Sequence, residues 1–190
     1  MGRYERKFVV NHYQQHYIEA TVRQNPAFFS EIFQPRFINN IYLDTHNLTF
    51  FHDNNSGKSK RKKIRIRWYG ELTGLVKNPL LEYKMKDGFI GTKKIFPLKN
   101  FYFDDQFSIE SLSEVFRTSD LSDDVLQDLA ILEPTLVNRY CRKYFRSYDK
   151  RFRLTLDKEM SYFSFARQNN TLLRQISDNQ TIVVEVKYDE

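Results

Sequence analysis

Residues 63–69 alternate strictly: Lys63, Arg65 and Arg67 fall between Ile64, Ile66 and Trp68. In a strand, successive side chains leave on opposite faces, so one face here is cationic and the other apolar. The same period of two recurs along the chain. Arg3, Glu5 and Lys7 stand against Tyr4 and Phe8, and Glu82, Lys84 and Lys86 against Leu81, Tyr83 and Met85. Arg151, Arg153, Thr155 and Asp157 face away from Phe152, Leu154 and Leu156, as Glu185 and Lys187 do from Val184, Val186 and Tyr188.

Extended patterns predict strands over 3–10, 36–43, 63–69, 80–86, 91–96 (or on to 98), 135–145, 152–157, 160–165 and 181–188. Asp87-Gly88 is a hairpin turn signal, and Asn54-Asn55-Ser56-Gly57 reads as a loop. Helical spacing predicts a helix over 12–24 with Asn11 as its N-cap, a short helix over 27–33, and a helical turn over 48–52. Two further helices, 108–116 and 122–132, each open on a serine suited to capping. Leu156-Asp157-Lys158 reads equally as a hairpin turn or as the place of a second-sphere or metal carboxylate, Asp157. No repeat, low-complexity tract or linker divides the sequence, so one α+β domain over 1–190, dominated by antiparallel strands, is expected.

Composition adds a direction. With 41% hydrophobic and 16% aromatic residues in 190, the chain can bury a real core. A net charge of +6 tilts it toward anionic partners. The lone Cys141 excludes an intramolecular disulfide and argues against a cysteine zinc site; its alternation with Tyr140 and Arg142 turns it to the apolar side. The N-terminus has no apolar run, and Arg6 stands where a myristoylation signal needs Ser or Thr. No window reaches the ~18 apolar residues of a spanning helix. A soluble, cytoplasmic protein is expected. The histidines (His12, His16, His46, His52) share no metal-ligand spacing, and the basic run 58–63 reads as a solvated loop leading into a strand.

One alternating strand would be an ordinary half-exposed one. Five with cation excess, several of them arginine, point to bidentate contacts with phosphate. Their apolar faces would pack on the helices, leaving the charged faces to line a concave surface or a closed barrel. Single-stranded nucleic acid is disfavoured as a partner, because Trp68, Tyr83 and Phe152 lie opposite the charges rather than among them.

In order, RYERKF (3–8), IYLDT (41–45), KIRIRWYG (63–70), LEYKMK (81–86), YCRKYF (140–145), RLTLDKEM (153–160) and VVEVKY (183–188) resemble the CYTH, or triphosphate tunnel metalloenzyme, superfamily, and within it the VTC domain of polyphosphate polymerases. That resemblance implies an eight-stranded antiparallel β-tunnel with helices outside, in which the γ-phosphate of ATP passes to polyphosphate with Mg²⁺ or Mn²⁺ present. It assigns phosphate contacts to Lys7, Arg65, Arg67, Lys84, Lys86, Lys93 or Lys94, Arg142, Arg153 and Lys187. It assigns the metal to Glu185, with Glu5 and Glu82 as helpers. Arg3 stands where the wider superfamily signature has Glu, as in the VTC branch. The resemblance also implies a further helix and a lysine-bearing strand after residue 190, which this sequence does not contain; a tunnel without that strand would expose an edge and invite pairing with a second copy. Three activities stay open: polymerase, triphosphate or nucleotide hydrolase, and non-catalytic polyphosphate-binding module.

Overall fold

The computed structural model describes residues 3–88, 90–165 and 175–189. In chain order the strands are β1 (Arg3–Asn11), β2 (Ser30–Asp44), β3 (Lys60–Tyr69), β4 (Gly74–Val76), β5 (Leu80–Asp87), β6 (Ile90–Pro97), β7 (Phe101–Phe103), β8 (Glu133–Arg146), β9 (Phe152–Ser164), β10 (Gln175–Asp178) and β11 (Thr181–Asp189). The helices are α1 (Gln15–Gln24), α2 (Thr49–Asn55), α3 (Ile109–Thr118) and α4 (Asp123–Ala130). This is the expected α+β chain with an antiparallel sheet. The described residues form two compact units, those within 1–38, 139–161 and 176–190, and those within 39–138 and 162–175.

In the first unit the strand order is β1–β11–β9–β8–β2. The alternation of each strand sends Leu154, Leu156, Ile182, Val184 and Phe145 to one face, where they form a core with Val22 of α1. Burying each such side chain stabilises by about 1.5–3 kcal/mol. Asn11 caps the entrance to the helical segment as expected, its side chain accepting from the Tyr13 amide at 3.0 Å. A 3-10 turn, His12–Gln14, precedes the α-helix proper. Glu19 of α1 is buried and accepts two 2.9 Å bonds from Lys143 and one of 2.8 Å from Gln15, which together hold its carboxyl below the ordinary range despite burial.

In the second unit the order is β8–β2–β3–β5–β6, and β4 pairs with β7 in a separate ribbon. Ile64, Ile66, Trp68, Leu81 and Tyr83 turn to one face and pack with Leu112, Val115 and Phe116 of α3 and Leu129 of α4. Trp68 is edge-on to Phe101 and Phe103, and its ring N–H donates to the Glu71 carbonyl at 2.9 Å. Ser108 caps α3 through the Ser111 amide. Ser122 stands at the start of α4 without a side-chain cap bond.

Four expectations fail. Asn54 and Asn55 end α2 rather than open a loop, and the basic run 58–63 is already in β3 from Lys60. Residues 27–33 do not form a helix; from Ser30 they belong to β2. Pro35 disfavours helical backbone at Gln34, and pairing with β8 supplies what an isolated turn lacks: Phe33 meets Tyr144 edge-on at 5.6 Å, with Arg36 over both rings. Residues 156–158 do not reverse the chain either. β9 runs through them unbroken, with Glu159 at φ +53° marking a local distortion of the strand rather than a hairpin. Cys141 is buried as its alternation implied, and burial pushes its thiol up.

Candidate functional site

The register of β3, β5 and β6 settles which side chains share a face. Arg61 lies across from Lys86, Lys63 from Lys84, and Arg65 from Glu82. On the far side of β5, Lys84 lies across from Lys93. One face of three strands therefore carries Arg61, Lys63, Arg65, Arg67, Lys84, Lys86 and Lys93 around a single carboxylate, Glu82. Lys94 is separated from them: it is paired with Tyr83 and leaves on the opposite, core-side face. Of the Lys93/Lys94 alternative, only Lys93 joins the cationic face.

Glu82 organises this face. Arg65 donates to Glu82 Oε2 through Nε at 2.8 Å and lies 2.7 Å from it through a terminal nitrogen, while Lys93 donates to Oε1 at 2.7 Å. Arg67 stands 3.7 Å away. Glu82 is only 3% exposed. Burial alone would raise its pKa, but the charges of Arg65 and Arg67 and the bonds from Lys93 and Arg65 pull it down to about 2. It is ionised throughout the physiological range, with both oxygens engaged by cations.

Sequence reasoning missed the neutral members of the face. Arg65 donates to the Tyr42 hydroxyl at 3.2 Å, and Arg67 to Asn40 Oδ1 at 3.0 Å, while Asn40 donates on to Asn138 at 2.8 Å. Burial would raise the Tyr42 phenol, yet Arg65, then Arg67 and Lys63, bring it below its ordinary value. The signal was present in INNIYLD, where Asn40 and Tyr42 alternate with the buried Ile41 and Leu43. The next residue along, Asn39, is structural: it donates to the Gly70 and Glu71 carbonyls at 3.1 and 3.2 Å.

The first unit has its own polar face. Glu5 pairs across with Lys187, Lys7 with Glu185, and Glu185 with Thr155. Lys7 lies 3.3 Å from Glu5 and 3.6 Å from Glu185; Lys187 lies 3.6 and 3.3 Å from the same two. These four charges alternate, and the two carboxylates outweigh desolvation to raise the Lys7 pKa. Arg153, exposed, lies across from Lys187 on the same face. Arg142 and Asp157 form a bidentate pair at 2.5 and 2.6 Å, and that pairing raises the arginine pKa against the effect of burial. Asp157 is thereby an arginine anchor within β9. Among the described residues, no three His, Cys, Asp or Glu side chains are grouped to hold a metal without other ligands. No helix among them is long and apolar enough to cross a membrane.

Antiparallel α+β architecture with cation-rich, carboxylate-organised sheet faces defines the class. The chain belongs to the VTC domain family, whose model matches residues 2–190. No curated protein sequence matches it. Its fold is similar to that of solved structures with little sequence in common. One is a protein from Vibrio parahaemolyticus assigned as an adenylate cyclase, at 12% identity and TM-score 0.51, covering 100% of this chain and 78% of that one. Another, from Bacillus halodurans, is likewise assigned as an adenylate cyclase, at 15% identity and TM-score 0.51, covering 100% of this chain and 83% of that one. A third, from Hippeastrum, was assigned as an adenylyl cyclase and is described as having a dominant triphosphatase activity; it is 12% identical, with TM-score 0.53 and coverage of 100% and 80%.

Proposed function

We propose that this domain is a phosphotransferase that moves the γ-phosphoryl group of ATP onto a polyphosphate chain and releases ADP. The observation that carries the reading is the register of like charges on β3, β5 and β6. Cations directly opposite one another are destabilising, and here Lys63, Lys84 and Lys93 lie in line across three strands, with Arg61 facing Lys86. Seven cations gathered on one face of three strands suit a ligand bearing several phosphates. Family membership supports the same chemistry.

In this reading the guanidinium groups of Arg65 and Arg67 are held in place by Glu82, Tyr42 and Asn40, and so meet phosphate oxygens already oriented. Phosphoryl transfer asks a protein mainly for alignment and neutralised charge. A terminal chain oxygen attacks the γ-phosphorus, the bond to the β,γ-bridging oxygen breaks, and ADP leaves. In the first unit, Lys7, Arg142, Arg153 and Lys187 are the phosphate contacts, and Glu185 and Glu5 are the carboxylates for Mg²⁺ or Mn²⁺. The donor set there fits such an ion: two carboxylates, the buried Thr155 hydroxyl without a hydrogen-bond partner across from Glu185, and phosphate oxygens. When bound, the ion neutralises phosphate charge. Glu82 is a positioning carboxylate, since both its oxygens already accept from cations.

The Hippeastrum relative of this fold favours a second reading, in which water replaces the chain terminus and the product is free phosphate. Incubation with ATP and Mn²⁺ separates the two: ADP with long polyphosphate supports transfer, and ADP with free phosphate alone supports hydrolysis. The Arg65→Ala/Arg67→Ala double variant is expected to lose tripolyphosphate binding by about 100-fold or more, at about 1.5–3 kcal/mol for each charged contact. Affinity surviving that change in a folded variant sinks the phosphate grip.

A further inference from the structure

We infer that the cavity where α2 meets the ends of β2, β3 and β8 seats the nucleoside of a nucleoside triphosphate, and so distinguishes a nucleotide from inorganic triphosphate. This rests on reading the adjoining face as a phosphate grip. The cavity, of about 420 Å³, lies wholly within the second unit and is large for a phosphate alone. Its lining is of two kinds. Leu48, Phe51 and Leu136 supply apolar lining, and Tyr42, Lys63 and Asn138 supply polar lining.

The polar lining belongs to the cationic face. Tyr42 accepts from Arg65, and Asn138 is joined to Arg67 through Asn40. Lys63 is two residues from Arg65 on the same face of β3, roughly 7 Å along the strand. A ligand whose phosphates lie on Arg65 and Lys63 therefore has its next group at this cavity. Asp44 fixes the direction. Its carboxylate, at the cavity, accepts from the amides of Thr45, Phe50 and Phe51 at 2.8, 2.9 and 2.8 Å, which anchors α2 and leaves a negative charge at that end. Phosphate is repelled from that end, and the uncharged part of the ligand is not.

Phe51 completes the pattern. It is 58% exposed, touching His52 edge-on, and lies outside the core that Phe50 joins. An aromatic ring left in water beside a cavity that opens onto cations suits stacking with a heteroaromatic base.

Calorimetric titration with ATP and with tripolyphosphate, for the natural chain and for Phe51→Ala, tests the assignment. The expected result is about tenfold weaker ATP binding in the variant, from loss of one stacking contact, with tripolyphosphate binding within twofold. Retained tripolyphosphate binding also shows that the variant is folded. Equal ATP affinity in both proteins, or equal weakening of both ligands, overturns the nucleoside pocket while leaving the grip intact. A natural chain that binds tripolyphosphate but not ATP overturns the pocket in the same way. A natural chain that binds neither overturns the phosphate grip, and the pocket with it.

Discussion

Glu82→Gln removes the one carboxylate on a face of seven cations while keeping the side chain's size and one hydrogen-bond acceptor. The fall of the Glu82 pKa from an ordinary 4.5 to about 2 corresponds to about 3 kcal/mol of favourable pairing at neutral pH. Lys93 is nearly half exposed, so its share is screened, and about 2–3 kcal/mol is the expected loss. For a chain of this length that is a fall in melting temperature of about 4–12 °C. The sign with pH is fixed by the direction of the shift. A depressed carboxylate stabilises fully above its unfolded pKa and loses that contribution as pH falls through its folded value. The gap between natural chain and variant is thus complete at pH 7, narrows from about pH 4.5 down, and closes near pH 2. Thermal unfolding followed by circular dichroism across that range measures it. Tripolyphosphate, titrated without metal, should bind the variant more weakly, because Arg65 and Arg67 lose the carboxylate that holds them oriented. Equal stabilities at pH 7, a gap that persists unchanged at pH 2, or metal-free tripolyphosphate binding that is not weakened in the variant refutes the positioning role.

Two other substitutions probe the first unit. Asp157→Asn leaves the mostly buried Arg142 without its bidentate partner, and should cost about 3 kcal/mol, read as a lower urea midpoint with unchanged slope. Glu185→Gln should abolish the Mn²⁺ dependence of ADP release, yet leave metal-free tripolyphosphate binding within a few-fold; loss of that binding would place Glu185 in the grip rather than at the ion.

Much of the fold was legible because alternation is a local property. Ile64, Ile66 and Trp68 lie in the core and Arg65 and Arg67 on the other face, as their spacing required, since a strand offers no other way to satisfy both sets. The Ser108 cap and the Asp87-Gly88 turn were legible for the same reason: each rests on backbone chemistry within a few residues. Expectations failed where a distant partner decided. Residues from Ser30 onward are extended because β8 lies beside them, and β9 passes through its turn-like Asp157 because that carboxylate is bound to Arg142 on the neighbouring strand.

The sequence by itself determined the period of each strand, the excess of cations and which residue types face together. Strand register is set by pairing between segments far apart in the chain, so only the tertiary structure decided that Lys93 rather than Lys94 shares a face with Arg65. It alone showed that Glu82 is spent on Arg65 and Lys93, and that Asn40, Tyr42 and Asn138 steady the arginines. A cation's place in the sequence fixes its charge; what that charge is used for depends on the neighbour that folding brings within about 3 Å.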